Sequence, residues 1–509
     1  MIEGAVFRGS SFLKKKDMIK KYILCLGLCI GMFMSQAQRE YTAFDKAFHS
    51  VSSNEIMEFV YEMCKPEHKG RLAGSPEYTR CAHWAANYFS AWGLTPGGDN
   101  GFYFQNFPVQ YTDVKDAGVL KVKGEDMDVT YRMPDDYYPG THTASGVLKG
   151  EPVYVGFGIT APDLGYDDYA GIDVRGKIVV IEPGVPCERE NQAYARWDEF
   201  YSGSVYKIKN AVSHGAAGAL FTGKFSHPGI LYNDGFIYCH VSDKVVNDLL
   251  TGTSWTARTL KDKIRGDKRP HSMVLTGKEV EMMFRSFHAP SQTQNVIGYI
   301  PGTDKRLKDA PIIIGAHLDH LGCPGILFPG ALDNASGSAI VMETAKAFAQ
   351  SGVKPLRPVV FILFGAEEPG MLGSKFYVKH PLFPLEKTLC MFNLDMVGNG
   401  TELRVGGVNT FPELKKYFTE ANEQYLRRIL HTSDYSKASG RMYTDGEIFN
   451  FNGVPAFSLG TRNKVGRTYY HVPQDVPETL TPEIMEDVSK LLYTVLCKLA
   501  CDPHIRLSE

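Results

Sequence analysis

The chain has 509 residues, well beyond one ordinary domain, so two or three domains are expected. Hydrophobic residues make up 43% and charged residues 22%, the balance of a globular protein with large cores rather than of a disordered chain. Lysine and arginine total 55 against 57 aspartates and glutamates, a formal charge of −2, so bulk attraction to nucleic acid or to an anionic membrane is excluded and partners must be argued from sites.

The N-terminus reads as a targeting segment. Lys20 and Lys21 precede an apolar run from Ile23 to Met34, and Ser35-Gln36-Ala37 then sets small residues where signal peptidase cuts. The run is shorter than the roughly 20 apolar residues a membrane span needs. Residues 1–37 are therefore expected to be a signal peptide, with Met18 able to serve as the start. The mature protein is expected to be exported, periplasmic or secreted, with no stable membrane association. The ten cysteines fall to eight once Cys25 and Cys29 leave with this segment. The remainder show no close paired spacing, and buried free thiols are the expectation for most of them.

Downstream, Ile56, Phe59, Val60 and Met63 recur at helical spacing. Arg80 to Leu94 is a second helical segment, ended by Gly93 and Pro96, and Gly70-Arg71-Leu72-Ala73-Gly74-Ser75 forms a turn-rich loop between the two. From about residue 120 the character changes. Short β-rich runs such as Pro152–Phe157 and Lys177–Ile181 alternate with Gly/Pro/Asp turns, and Lys209–Leu220 reads as a helix broken by Gly215 and Gly218. Nothing in this stretch gathers His, Asp and Glu at ligand spacing, so a small β-rich covering or binding domain is expected. From Asn295 onward the pattern is strand, loop, helix, repeated. Pro311–Ala316, Val359–Gly365 and Thr388–Leu394 are apolar runs of strand length, as in the buried strands of an α/β sheet. Ala335–Gln350 and Pro482–Leu499 are the helices, the last with Thr481 as N-cap, Pro482 at its first position and Glu483 in its first turn.

The chemistry-bearing residues follow these apolar runs. His317-Leu318-Asp319 comes directly after the first, Glu367-Glu368 after the second and Asp395 after the third. Asp333-Asn334 opens the helix at Ala335, and Tyr470-His471 lies far downstream in a loop. Such α/β sheets place ligands at the carboxyl ends of their strands. Alone, each piece has an ordinary explanation: a satisfied core histidine, a solvated glutamate pair, an aspartate N-cap. Converging at one sheet edge, these carboxylates would repel one another strongly without cations, and mixed His/carboxylate sets suit borderline divalent metals.

The order His-x-Asp, Gly-Ala-x-Asp-Asn-x-x-Gly, Glu-Glu, Asn-x-Asp and a late His resembles the two-zinc aminopeptidase family, which includes bacterial leucyl aminopeptidases, glutamate carboxypeptidase and the zinc glutaminyl cyclases. Gly70–Ser75 is similar to that family's early loop, and Asn295-Val296-Ile297-Gly298 to the strand entering its metal domain. The run from Tyr169 to Val179 resembles the protease-associated domain often inserted in these enzymes. The resemblance implies an α/β zinc-peptidase domain over residues 40–120 and 285–509, with a mixed central sheet flanked by helices, and an inserted β-rich domain over 121–284. It implies two Zn²⁺ per chain, other divalent metals being possible. Asp333 would bridge both, His317 and Asp395 would complete one site, and Glu368 and His471 the other. Asp319 would orient the His317 imidazole, Glu367 would be the general base, and Tyr470 would face the tetrahedral intermediate. Two metals roughly 3.5–4 Å apart would lower the pKa of a shared water, and Glu367 would take its proton. Asp445 resembles a residue at the pocket rim, although an N-cap is the simpler reading. Arg441, Arg462 and Arg467 lie close in sequence to His471, and one of them could meet a substrate carboxylate.

The implied function is hydrolysis of N-terminal residues from peptides. A carboxypeptidase or dipeptidase on the same scaffold is the standing alternative, with a glutaminyl cyclase or a non-catalytic binding protein behind it. The partners expected are peptide substrates and no nucleic acid, and the oligomeric state is not legible.

Overall fold

The computed structural model describes residues 42–223, 232–438, 442–463 and 469–507. The signal-peptide segment, Arg441 and Arg467 lie outside the described residues. No described helix is long and apolar enough to cross a membrane.

The apolar runs form the strands the sequence implies. Ile312–His317, Val359–Phe364 and Cys390–Leu394 are buried along their whole length. They pair parallel in the order 359–364, 312–317, 390–394, and Ala456–Arg462 continues the parallel run. Ser286–Ile300 pairs antiparallel on one flank and Glu402–Gly406 on the other, so the sheet is mixed. Among the described residues it has nine strands.

Strand alternation decides what each face touches. Ile312, Ile314, Ala316, Phe361, Leu363, Phe392 and Leu394 pack with the helices Ser53–Met63, Pro76–Ala91, Ser336–Gln350 and Pro482–Ala500. Ile313, Val360, Ile362, Phe364 and Met391 point the other way, onto Tyr377 and Phe449 of the helices Leu372–Lys379 and Asp445–Phe451. Each of these large side chains contributes about 1.5–3 kcal/mol by leaving water. With helices on both faces, the open ground for a site is the carboxyl edge of the parallel strands.

The chain leaves this sheet after Phe104–Val114 and returns to it at Ser286–Ile300, which pairs with Phe104–Val114 along its length. Between them, strands from Val119 to Phe284 build two larger sheets of their own, beside the short pair Thr160–Ala161 and Tyr166–Asp167. One has four parallel members, Pro152–Tyr154, Ile178–Ile181, Gly218–Thr222 and Ile237–Val241. The other is antiparallel and includes Val119–Gly124, Gly146–Gly150 and Lys278–Phe284. This region is less purely β than its runs suggest, because it carries the helices Tyr194–Tyr201, Ser204–Ser213, Asp243–Leu250 and Ala257–Asp267. The expected helix Lys209–Leu220 is corrected: helix ends at Ser213, and Gly218–Thr222 is a fully buried strand. Gly215, at φ +85°, ends the helical path and lets the chain turn into the sheet. The eight cysteines downstream of the signal segment are free thiols, five of them buried.

Arg71 joins the early loop to the site. It is 0% exposed, and its guanidinium donates to the carbonyls of Met63, Leu318, Pro329 and Gly330 at 2.7–2.9 Å. Leu318 lies between His317 and Asp319, and Gly330 precedes the Asp333 turn, so one side chain ties three segments behind the site. Arg71→Met is expected to destabilise the protein by about 3–5 kcal/mol, because buried carbonyls lose a charged donor and nothing replaces it. Denaturant unfolding checks this, and a change under about 1 kcal/mol would show that the loops hold themselves.

Candidate metal centre

Each functional side chain hangs from the carboxyl end of a parallel strand or from the segment that follows it. His317 is the last residue of its strand, Glu367 and Glu368 follow Phe364, and Asp395 follows Leu394. Asp333 lies in the turn just before the helix Ser336–Gln350. His471 returns to the same edge after the strand Ala456–Arg462. Ala366, Met396 and His471 all have φ between +52° and +56°. For residues with a Cβ this backbone costs of order 1–3 kcal/mol each and is typical of functional turns.

Asn334 fixes the Asp333 turn to the Asp395 turn. Its Nδ2 donates to the Leu394 carbonyl at 2.9 Å, and its Oδ1 accepts from the amides of Gly337 and Met396. Gly337 has to be glycine, since a Cβ there would sit 2.4 Å from Asn334 Oδ1 and 2.6 Å from the Leu394 carbonyl. Asp475 holds the turn from the other side, accepting from the amides of Leu332 and Asp333 at 2.8 and 3.0 Å.

The side chains then meet in two sets that share Asp333. Its Oδ1 lies 3.2 Å from His317 Nε2, which is also 3.6 Å from Asp395 Oδ1. Its Oδ2 lies 3.1 Å from His471 Nε2, which is 3.0 Å from Glu368 Oε2. Donors sharing one tetrahedral ion at bond lengths near 2.1 Å stand about 3.4 Å apart, so both sets have ligand spacing. The residue types, imidazole with carboxylate, also suit zinc.

His320 was not among the residues singled out from sequence, yet it is fully buried at this centre. His320, Asp333 and Glu368 offer ligand atoms within 4.8 Å of one another. The His320 Nδ1 to Glu368 Oε1 distance of 2.6 Å is too short for two ligands of one ion and fits a hydrogen bond. His320 therefore steadies one oxygen of Glu368 and leaves the other facing His471. Its legible signal was the continuation of His-x-Asp into a second histidine.

Asp319 is placed differently from the expectation. The His317 Nδ1 hydrogen bond goes to the Asp319 carbonyl at 3.1 Å, while the Asp319 carboxylate stands 3.8 Å away. That carboxylate instead accepts from the amides of Glu367 and Glu368 at 3.0 and 3.2 Å. Asp319 thus orients the imidazole through its main chain and the two glutamates through its side chain. The reason is local: two residues past the strand end, the chain has turned toward the next strand's loop.

The electrostatics follow from burial and crowding. Burial alone would raise Asp333, but the imidazoles of His317 and His471 hold its carboxyl well below the usual range. Burial also opposes ionisation of Glu368, which His471 and His320 nevertheless bring down to about 2. The carboxylates in turn overcome desolvation of His471 and raise it to about 10. Glu367 goes the other way: burial, with Asp445, Glu368 and Asp395 nearby, pushes its carboxyl well above the ordinary range despite His317. One glutamate of the pair is held as an anion and its neighbour is tuned toward proton exchange.

The two ligand sets and Glu367 line a pocket of 440 Å³ together with Lys375, Met396, Met442, Tyr443 and Tyr470. Tyr470 lies face to face with His471, ring centroids 3.6 Å apart, and burial raises its phenol so that it stays a neutral donor. Asp445 is not an N-cap: Thr444 caps that helix, its hydroxyl accepting from the Glu447 amide, and Asp445 is its buried first residue. Burial raises Asp445 to about 6. Among the arginines near His471, Arg462 is described and exposed. Among the described residues, the lysine or arginine that lines the pocket is Lys375, which no motif had singled out.

Residues 295–496 match Peptidase family M28, and residues 148–244 match the PA domain. The first match covers less than half of the chain and lies in the mixed-sheet domain, and the second falls in the region inserted between the strands Phe104–Val114 and Ser286–Ile300. Among curated proteins it is 26% identical to Aminopeptidase YwaD of Bacillus subtilis strain 168, over 66% of each chain. It is 27% identical to a probable leucine aminopeptidase of Arthroderma benhamiae, over 44% of this chain and 62% of that one. The alignments thus span about two thirds, or less, of these relatives' lengths. In fold, the chain superposes on the aminopeptidase from Aneurinibacillus sp. strain AM-1 with a TM-score of 0.61 at 20% identity, covering 92% of this chain and 98% of that one.

Proposed function

We propose that this protein is a zinc-dependent aminopeptidase of the M28 kind with two metal ions, one in each of the ligand sets that share Asp333. The observation that carries the reading is the pair of Asp333 oxygens, each turned to a different imidazole with a further carboxylate beside it. His317, Asp333 and Asp395 would hold one ion, and Asp333, Glu368 and His471 the other. When bound, such a pair supplies Lewis acidity, polarising a carbonyl and lowering the pKa of water. Glu367 takes a proton at its carboxylate and returns it to the leaving amine, and burial raises its pKa in the direction such an exchange needs. Tyr470, neutral and lining the pocket, can donate to the developing oxyanion. The similarity to proteins named aminopeptidases supports the same reading.

Direction is argued from charge. Asp395, Glu367 and Glu368 make the rim of the centre a seat for a free α-ammonium group, whereas a carboxylate there meets like charge. Lys375 supports a second reading, because a lysine lining the same pocket could receive a C-terminal carboxylate and make the enzyme a carboxypeptidase. One tripeptide in three forms, free, N-acetylated and C-amidated, separates the two. For an aminopeptidase, acetylation abolishes hydrolysis and the amidated peptide is still cut, with metal analysis showing two zinc ions per chain. Cleavage of the acetylated form, with the amidated form intact, would reverse the direction and make Lys375 the carboxylate seat.

A further inference from the structure

The catalytic pocket is not built by the peptidase domain alone. Gly203, Ser204 and Val205 of the inserted domain line it, across from the metal ligands. They stand where the helix Ser204–Ser213 begins, just after the helix Tyr194–Tyr201. The two domains also touch at this mouth through side chains: the Tyr443 hydroxyl donates to Asp198 Oδ2 at 2.6 Å. Tyr443 lines the pocket on the peptidase side, next to Met442. Asp198 is steadied within the insert, accepting at its other oxygen from the Tyr194 hydroxyl at 3.4 Å.

Resting on the peptidase reading above, we propose that the inserted domain makes this enzyme selective for short free peptides, with Gly203–Val205 as the far wall of the substrate pocket and the Asp198–Tyr443 hydrogen bond holding that wall in place. The volume agrees with this. At 440 Å³ the pocket has the size of a site for a small ligand such as a dipeptide, and the insert supplies part of its lining. A longer peptide seated at the metal centre has to pass the insert, which means displacing the wall. Interfaces between domains of one chain are typically polar and permit relative motion, so a single well-aligned hydrogen bond at the mouth can bias how far the wall opens. Tyr443 is 49% exposed and the Asp198 carboxylate is reached from outside, so neither side chain is part of a core. Asp198→Ala and Tyr443→Phe should therefore fold normally.

The experiment measures kcat/KM of the zinc-loaded wild type, both single variants and the double variant, on a series running from a dipeptide to a decapeptide with the same N-terminal residue. Wild type should favour the dipeptide over the decapeptide by at least about tenfold. Each single variant should bring that ratio toward one, chiefly by lowering KM for the decapeptide, as expected when the wall it has to displace is held less firmly. The double variant should match the singles, since both remove the same contact. A wild type that cuts the decapeptide as fast as the dipeptide overturns the proposal. So does a short-peptide preference that survives in both variants, because the wall would then not depend on this contact. Absence of hydrolysis at every length by the zinc-loaded wild type would instead refute the peptidase reading, and this proposal with it.

Discussion

Glu367→Gln is expected to lower turnover by about 10²–10⁴-fold while metal content stays at the wild-type level. The two halves of this result have separate causes. The metal sets are made from His317, Asp333, Asp395, Glu368 and His471, and Glu367 contributes to neither. Its main chain is held by Asp319, so glutamine should keep the position of the side chain. Only the proton exchange is lost, because an amide cannot take a proton from water and deliver it to an amine. The pKa of Glu367 is raised by burial and by the carboxylates around it, which makes it a stronger base than an ordinary carboxylate. Metal analysis alongside steady-state kinetics checks both halves. Near-normal turnover with full metal would remove Glu367 from the base role, and loss of metal would make it a ligand.

Asp333→Ala is expected to have the larger effect, abolishing turnover and releasing at least one metal ion. The two oxygens of Asp333 face His317 and His471 separately, so a single substitution takes one ligand from each set. What remains is two imidazoles, Asp395 and Glu368, with less negative charge between two cations that repel each other. The turn itself should survive, because its hydrogen bonds run through the Asp333 amide to Asp475 and through the Asn334 side chain to Leu394 and Gly337. Loss of metal without loss of fold is therefore the expected signature. Circular dichroism and zinc analysis of the purified variant read it directly, and a folded variant that still holds two zinc ions would reduce Asp333 to a turn residue.

Much of this site was legible before any coordinates. His317, Glu367, Glu368 and Asp395 each follow an apolar run of strand length, and the carboxyl ends of parallel strands lie at one edge of the sheet. Asp333 and His471 needed the whole ordered pattern, because an aspartate before a helix and a histidine in a loop have ordinary explanations when taken alone. The architecture was legible for the same reason: the period of apolar residues is set by contacts within a few positions, and those contacts are in the sequence itself.

Tertiary structure decided what joins distant segments. Arg71 reaches the Leu318 carbonyl across 247 residues, and no local period marks an arginine that will be buried. Asp475, from a loop, and Lys375, from the helix Leu372–Lys379, reach the centre through the folding of their segments and not through any motif around them. The division of Asp319 between a main-chain bond to His317 and side-chain bonds to the glutamates depended on the angle at which the chain leaves its strand. The strand at Gly218–Thr222 looked like the end of a helix because a short buried apolar run fits either period, and pairing with its two neighbours decided it. The pocket wall at Gly203–Val205 was invisible for the deepest of these reasons: it is made by one domain but functions in another, and only the packing of the two puts a glycine, a serine and a valine opposite the metal ligands.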